Sequence, residues 1–235
     1  MDTVARKKSN KEKIMDAAVQ IFAQKGFQEA TISDISKKAG VADATIYEYF
    51  SGKEDLLFTI SETITQSAID LANQILPFMR DPVDKVRAHI QIAMTIYQQN
   101  PQYAAVGMLE LKTNRRFHLS ESYKTIQKSS RIFLETIKEG IEKGAFRKDI
   151  DPYLMRSMIF GTIEHLCIRK HLLNIPMDLT TYIDPIVELI LNGAKTEGEE
   201  PRFSIHLQVT DGKIASNDKK GDMDQQDALA RPAFK

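Results

Sequence analysis

Residues 41–57 read VADATIYEYFSGKEDLL, and this stretch decides the fold. Successive residues of a helix are about 100° apart, so Ile46 and Phe50 share one face. Ala44 and Glu48 then point to the opposite side. Two apolar anchors on one face, with small and hydroxyl-bearing residues on the other, describe a short surface helix. Its role depends on the helices that precede it.

Two helices are predicted before this stretch. Residues 10–25 place five apolar side chains on one face: Ile14, Ala17, Ala18, Ile21 and Phe22. Gly26 follows where a left-handed C-terminal cap is expected. A second helix covers residues 31–39, where Thr31 and Asp34 form a capping-box pattern.

A tight turn joins the second helix to a third, over residues 43–50. The linking sequence is AGVA, which contains Gly40. A connection this short forces a sharp angle between the two helices, which is the helix-turn-helix arrangement. The second helix of such a unit can enter a DNA major groove if its outer face carries no bulky side chain, and Ala44 meets that condition.

The outer face of this third helix carries groups suited to DNA. Ala44 can contact a thymine methyl group, and Thr45 can reach either a base edge or a phosphate. Tyr47 and Tyr49 are long enough to donate their hydroxyls to phosphates on either side of the groove. Lys53, at the start of the next helix, is expected to clamp a phosphate.

Charge supports this interpretation locally but not globally. Lys+Arg and Asp+Glu both total 32, whereas proteins that bind duplex DNA are usually basic. Basic residues nevertheless crowd the N-terminal arm and the end of the second helix: Arg6, Lys7, Lys8, Lys11, Lys13, Lys37 and Lys38. Asp43 opposes them, and either caps the third helix or accepts a hydrogen bond from a cytosine amino group.

The composition as a whole indicates a soluble protein of the cytoplasm. The 235 residues are 42% hydrophobic, which is enough to build a core. The single cysteine excludes an internal disulfide and suits a reducing compartment. The N-terminal residues lack the apolar core of a signal peptide, and no apolar run reaches membrane-spanning length.

Helical periodicity continues to Gly193, so the expected fold class is all-α. Ser51 and Glu54 form a capping-box pattern at the start of a helix that runs to about Leu76. Later helices are expected to begin at Asp81-Pro82, Asn100-Pro101, residue 120, Asp151-Pro152 and Leu179. After Lys195 the chain is polar and charged, which predicts disorder, with a weak strand-turn pattern over RFSIHLQVT and Asp211-Gly212.

Residues 31–57, TISDISKKAGVADATIYEYFSGKEDLL, resemble the DNA-binding signature of TetR-family transcriptional regulators almost position by position. The resemblance implies an all-helical homodimer whose three N-terminal helices bind DNA while a larger helical domain holds a ligand and dimerises. The expected domains are residues 1–52, 53–195 and a polar tail, 196–235. The expected DNA-contacting residues are Thr31, Ala42, Asp43, Ala44, Thr45, Tyr47, Tyr49 and Lys53.

Two positions depart from the usual signature. Ala42 replaces a serine at the head of the recognition helix, so the cap must come from elsewhere, with Asp43 as the candidate. Tyr49 stands where histidine is common. Both departures concern the DNA-facing surface and leave the operator sequence unpredictable.

A narrower resemblance extends into the second domain. GVADATIYEYFSGKEDLL, LELKTN at 109–114 and MIFGTIE at 158–164 are similar to the fatty-acid-degradation repressors of the Bacillus type. Those regulators release DNA when a long-chain acyl-CoA binds. The resemblance therefore implies a long-chain acyl-CoA as effector, and no cofactor.

An apolar stretch followed by cations is the candidate effector site. Tyr103, Met108 and Leu111 precede Lys112, Arg115 and Arg116, and an acyl-CoA needs an apolar tunnel for its chain and cations for its phosphates. Tyr97, Phe117, Tyr123 and Phe133 could line the same space. The alternative for each residue is ordinary helix packing or a solvated face.

Polar residues near the end of the second domain do not form a metal site. Cysteine and histidine two positions apart on a helix point to different sides, so Cys167 is interpreted as a small buried hydrophobe. The family resemblance places the dimer interface on helices near 152–173 and 179–194. Whether Glu164, His165 and Arg169 serve the pocket or that interface stays open.

Two other classes of function fit the sequence less well. An enzyme is disfavoured because the histidines are scattered and no phosphate-binding loop or nucleophile motif is present. A helical protein-interaction module fits the neutral charge but leaves the recognition-helix signature unexplained. The sequence thus predicts a homodimeric repressor of a palindromic DNA operator, released by a hydrophobic effector, either long-chain acyl-CoA or another apolar or drug-like molecule.

Overall fold

The computed structural model describes residues 9–192, 207–210 and 213–216. Residues 9–192 contain nine α-helices: α1 (Asn10–Glu29), α2 (Ile32–Ala39), α3 (Asp43–Tyr47), α4 (Lys53–Ile75), α5 (Pro82–Gln99), α6 (Pro101–Val106), α7 (Glu121–Glu142), α8 (Pro152–Leu172) and α9 (Ile183–Asn192). A π-helical turn, Gly107–Leu111, follows α6. Short 3-10 segments cover Leu76–Phe78, Phe117–Leu119 and Leu179–Tyr182. The predicted all-α fold class is confirmed for this range.

Two glycines shape the N-terminal helices. Gly26 has φ 76° and interrupts α1, and Gly40 has φ 69° and closes α2. Residues with a Cβ rarely adopt such φ values, so glycine is needed at both positions. The helix end expected at Gly40 is therefore confirmed, whereas α1 is only interrupted at Gly26 and continues to Glu29, so the left-handed cap expected at Gly26 is wrong.

Three N-cap residues, Thr31, Asp81 and Asp151, lie at the helix starts that the sequence predicts. The Thr31 hydroxyl accepts from the Asp34 amide at 3.1 Å, and the Asp34 carboxylate accepts from the Thr31 amide at 3.1 Å. The carboxylates of Asp81 and Asp151 each accept an amide hydrogen bond two residues ahead, at 2.8 Å. These side chains satisfy amides that the first helical turn leaves unpaired.

The capping box predicted from Ser51 and Glu54 is wrong. The Ser51 amide donates instead to Asp55 at 2.8 Å, and the Ser51 hydroxyl to the same carboxylate at 3.1 Å. Glu54 is turned away because Asn114 and Arg116 bind its carboxylate. A contact 60 residues distant along the chain thus overrides a local pattern.

Two hydrophobic clusters fill residues 9–192. The first joins the buried faces of α1 to α4 to Tyr103 and Val106 of α6. The second lies among α5, α7, α8 and α9, and Met108 of the π-helical turn belongs to it. Tyr97 packs against both clusters. The helix-turn-helix unit therefore shares its core with α6.

The tail contains a two-stranded hairpin, which forms a unit separate from residues 1–194. β1 (Leu207–Thr210) pairs antiparallel with β2 (Lys213–Ser216), and Thr210 lies opposite Lys213. Of the strand predicted over RFSIHLQVT, residues 207–210 are confirmed, while residues 202–206, the turn expected at 211–212 and the disorder expected for the rest of the tail lie outside the described residues. No helix in the described part of the chain is long and apolar enough to cross a membrane.

Candidate DNA-binding surface and effector cavity

The recognition helix α3 is fixed by two buried anchors. Ile46 is 0% exposed and Phe50 is 2% exposed, as their spacing predicts. On the other side Ala44 is exposed, and Tyr47 and Tyr49 are 59% and 44% exposed. The anchors hold the helix against the core so that the two phenol groups project into solvent, where a DNA backbone can reach them.

Asp43 does not cap α3. Ala42 is the N-cap residue, and within residues 9–192 no side chain supplies its capping hydrogen bond. The Asp43 carboxylate instead accepts a hydrogen bond from the hydroxyl of Ser36, a buried residue of α2. The expectation that Asp43 replaces the missing serine cap is therefore wrong, because the carboxylate is used to tie α3 to α2.

Thr31 also has a structural partner. Its hydroxyl donates to Asp34 at 2.8 Å, and Asp34 pairs with Lys25 at 2.7 Å. The Lys25 ammonium and the two Thr31 donors lower the pKa of Asp34 to about 2. Thr31 is itself exposed.

Lys53 is not the free phosphate clamp that the sequence suggested. Its ammonium donates to the carbonyl oxygens of Phe27, Gln28 and Ala30 at 2.9, 2.8 and 3.1 Å. An ammonium has three donors, so these carbonyls use all of them. The ammonium also lies 4.8 Å from the Phe27 ring centroid. Lys53 therefore ties the start of α4 to the end of α1.

A cavity of about 610 Å³ lies among α4, α5, α6, α7 and α8. Five of the seven residues proposed for the effector site line it: Tyr97, Tyr103, Met108, Leu111 and Phe133. Phe117 and Tyr123 line it as well. Its volume falls in the ordinary range for small-molecule sites.

Aromatic rings and a buried, neutral histidine line this cavity. The rings of Tyr97 and Tyr103 stack with centroids 6.3 Å apart, and burial raises the pKa of the Tyr103 phenol. The His89 imidazole lies 3.2 Å from the Thr136 hydroxyl and 4.7 Å from the Phe133 ring centroid. Burial lowers the pKa of His89 to about 4, so the imidazole is neutral near pH 7.

Arg115 and Arg116 do not line the cavity, contrary to expectation. Both line a more polar cleft of about 970 Å³, between the start of α4 and the loop that follows the π-helical turn. Arg116 pairs with Glu54 at 3.1 Å, and Asn114 donates to the same carboxylate at 3.1 Å. The two arginines diverge from the cavity because the chain leaves the helix after Leu111.

The polar residues of α8 separate into two groups. Glu164 lines the cavity and forms an ion pair with Lys112, whereas His165 and Arg169 are exposed. Cys167 is buried, as predicted, and burial raises the pKa of its thiol to about 12. No group of metal-binding side chains was found among the residues the structure describes.

Sequence reasoning missed a row of α4 residues that line the cavity: Ser61, Ile64, Thr65, Ala68, Ile69 and Ala72. Their spacing follows one helix face, and three of them are alanine or serine. Small residues on a face that should be buried leave room, and this pattern was available in the sequence. Arg156 of α8 was missed because its cavity-facing position depends on how α8 packs.

A helix-turn-helix unit that shares its core with a cavity-containing helical domain defines a class of DNA-binding regulator controlled by a small molecule. Residues 14–60 match the family model for bacterial regulatory proteins of the TetR family. Residues 59–193 match the model for the C-terminal region of YsiA-like proteins. The chain belongs to the TetR family and is a ligand-responsive transcriptional regulator that binds DNA, not an enzyme.

Similar proteins point to one branch of this family. The chain is 30% identical over 181 residues to the fatty acid metabolism regulator protein of Bacillus subtilis, covering 77% of this chain and 93% of that one. The fatty acid degradation regulator FadR of Bacillus halodurans has a TM-score of 0.73 at 31% identity, covering 78% of this chain and 99% of the other. FadR of B. subtilis, solved with stearoyl-CoA, has a TM-score of 0.73 at 28% identity, with the same coverage.

Proposed function

We propose that this chain is a homodimeric repressor that releases a palindromic DNA operator when a long-chain acyl-CoA occupies the cavity. The observation that carries the proposal is the cavity itself, which runs along α4 and is walled by the π-helical turn. The stearoyl-CoA bound to B. subtilis FadR supports the choice of effector. The proposed site of action is the cytoplasm.

The proposed functional regions follow from the two sites. Residues 1–52 bind DNA, 53–195 bind the effector and dimerise, and 196–235 form a tail. Ala42, Ala44, Thr45, Tyr47 and Tyr49 are proposed to contact DNA, because all lie on or beside the outer face of α3. Lys53 is proposed to position α4 rather than to bind a phosphate.

Dimerisation is proposed to use α8 and α9. Four large apolar residues on these helices are exposed: Leu154 at 59%, Met158 at 55%, Leu172 at 55% and Leu189 at 62%. Exposed apolar residues grouped on two neighbouring helices favour burial against another protein surface. A two-fold dimer would place its recognition helices roughly 34–36 Å apart, or a multiple of that distance, on a palindromic site.

Fluorescence anisotropy tests the whole proposal. Labelled DNA from upstream of the coding sequence is titrated with protein, and palmitoyl-CoA is then added below its micelle concentration. We expect saturable binding that palmitoyl-CoA reverses, while coenzyme A alone and palmitate alone leave it intact. Binding that ignores palmitoyl-CoA would reject this effector and favour another apolar or drug-like molecule. A monomer in sedimentation equilibrium at micromolar concentration would reject the dimer.

A further inference from the structure

Two stacked tyrosines in the cavity wall differ in what their hydroxyl groups bind. Tyr97 of α5 and Tyr103 of α6 have ring centroids 6.3 Å apart and ring planes 19° apart. Burial raises the pKa of Tyr103, while side-chain hydrogen bonds with Ser61 and Thr65 of α4 oppose that shift. The hydroxyl of Tyr103 is therefore already bonded within the protein.

The hydroxyl of Tyr97 has no such partner. Within residues 9–192 it makes no hydrogen bond, yet its oxygen is not sealed off from the space around it. Burial raises the pKa of Tyr97 well above its usual value, and the nearby Tyr103, Cys167 and Glu164 raise it further, so the phenol keeps its proton. A buried phenol whose oxygen stays accessible faces the cavity that its side chain lines.

An unpaired hydroxyl in such a place is unusual. Buried tyrosine hydroxyls usually find a partner, because an unpaired one loses its bonds to water and gains none. The carboxylate of Glu164 is near enough to affect the pKa of Tyr97, but it is held in an ion pair with Lys112. The acceptor that Tyr97 lacks can therefore be supplied by a ligand in the cavity.

Tyr97 lies between a charged part and an apolar part of the cavity wall. On one side are Glu164 and its partner Lys112, which is exposed. On the other side the wall follows α5 to His89, eight residues and about 12 Å from Tyr97 at 1.5 Å per residue. The residues of α5 that line this stretch are apolar: Ile92, Ala93 and Ile96. A donor at Tyr97 thus stands where an apolar chain would give way to a polar group.

A thioester effector has one acceptor at the matching position. Its acyl chain offers no hydrogen-bonding group, so the first acceptor met along the molecule is the thioester carbonyl oxygen. We propose that the Tyr97 hydroxyl donates a hydrogen bond to this oxygen, with the acyl chain lying along α5 toward His89 and the headgroup leaving the cavity beside Lys112. This inference rests on the proposed acyl-CoA response.

The test compares two ligands that differ in one carbonyl group. Palmitoyl-CoA has the thioester carbonyl, whereas S-hexadecyl-CoA is a thioether of the same chain length and lacks it. Isothermal titration calorimetry measures both ligands on the wild-type chain, Tyr97→Phe and Tyr103→Phe, each of which loses one hydroxyl and keeps the ring. We expect the wild type and Tyr103→Phe to prefer palmitoyl-CoA by about 5- to 30-fold, and Tyr97→Phe to lose that preference.

Thermal unfolding without ligand tests the open hydroxyl independently of the effector. Tyr97→Phe should unfold at the wild-type temperature, because its hydroxyl has no partner in the protein to lose. Tyr103→Phe should unfold at a lower temperature, because it breaks the hydrogen bonds with Ser61 and Thr65. Equal destabilisation by the two substitutions would show that Tyr97 is bonded within the protein, and would overturn the inference.

The remaining failures are distinguishable. A preference for palmitoyl-CoA that survives in Tyr97→Phe would assign the carbonyl to another donor and overturn the inference. Equal binding of the two ligands by the wild type would overturn it as well, while leaving the acyl-CoA response in place. If neither ligand binds although the chain still binds operator DNA, the proposed effector is wrong and this inference falls with it.

Discussion

The recognition surface and the effector cavity use tyrosine in opposite ways. Tyr47 and Tyr49 on α3 project into solvent at 59% and 44% exposure, where each hydroxyl can reach a phosphate. Tyr103 is 8% exposed and stacks on Tyr97 as part of the cavity wall. The residue type is the same, so burial decides whether a phenol serves as a contact group or as a wall.

The two regions also differ in the range of the contacts that build them. The turn between α2 and α3 is built from Gly40 and the hydrogen bond that Ser36 donates to Asp43, all within eight residues. The cavity brings together residues from Ser61 to Glu164 on five helices. A change in the helix-turn-helix unit should therefore act on DNA binding, and a change in the cavity on the response to effector, except where shared residues join them.

The largest effect is expected at Phe50. Phe50→Ala removes a ring that is 2% exposed and should lower the free energy of unfolding by about 3–5 kcal/mol. Its exposed neighbour Tyr49 provides the control, because Tyr49→Ala should leave stability within about 0.5 kcal/mol while weakening operator binding. Urea denaturation and anisotropy measure the two quantities. Equal destabilisation by both substitutions would contradict the division between anchor and contact.

The second prediction concerns pH and the cavity. Burial lowers the pKa of His89 from 6.5 to about 4. Between about pH 4 and pH 6.5 the unfolded chain therefore binds a proton at this histidine that the folded chain does not bind. Stability should therefore fall as pH drops from about 6.5 to about 4, by about 3 kcal/mol from this group. Denaturant titrations across that range measure it.

Substitution separates His89 from the carboxylates that also titrate in acid. Asp34, Glu54, Glu139 and Asp178 have lowered pKa values, so their contribution to stability is also lost as pH falls. His89→Gln should remove only the histidine part of the slope, and His118→Gln, which changes an exposed histidine, is the matched control. Identical slopes for the wild type and His89→Gln would show that His89 is not buried as a neutral group.

Sequence reasoning succeeded where a feature depends on residues a few positions apart. Gly40 and the caps at Asp81 and Asp151 are examples, because a positive φ or an unpaired amide at a helix start is a local requirement. Ile46 and Phe50 were found by spacing alone. Gly40, Ile46 and Phe50 are enough to locate the helix-turn-helix unit in the sequence.

Features that depend on distant contacts were missed or misplaced. Lys53 was assigned to DNA because nothing in its neighbourhood shows that three carbonyls of residues 27–30 surround its ammonium. Arg115 and Arg116 were placed in the cavity because the π-helical turn that redirects them has no clear sequence signal.

The third prediction tests the new role of Lys53. Lys53→Ala leaves the carbonyls of Phe27, Gln28 and Ala30 without their shared donor, so the free energy of unfolding should fall by about 1–3 kcal/mol. The slope of log K against log salt for operator binding should stay nearly unchanged. Lys37→Ala, at an exposed residue of α2, should leave stability intact and reduce that slope by about one. The reverse pattern would restore Lys53 as a phosphate contact.

The smallest expected effect lies where the two regions meet. Lys53 and Glu54 are adjacent, yet the first binds carbonyls at the end of α1 and the second binds Asn114 and Arg116 after the π-helical turn. The start of α4 is thus held on one side by the helix-turn-helix unit and on the other by a loop that continues directly from the cavity wall. An effector that moves the π-helical turn would pull on Glu54 and, through it, on α4.

Glu54→Ala should therefore weaken the coupling between the two ligands more than it weakens either binding event. The coupling free energy is calculated from the ratio of operator affinities with and without palmitoyl-CoA. We expect this coupling free energy to drop by about 0.5–2 kcal/mol. Glu54→Gln should retain more of it, since the amide oxygen still accepts from Asn114. Glu121→Ala, which removes an exposed ion pair with Lys124, is the matched control. If Glu54→Ala lowered both affinities and left their ratio unchanged, Glu54 would support the fold without carrying the effector signal.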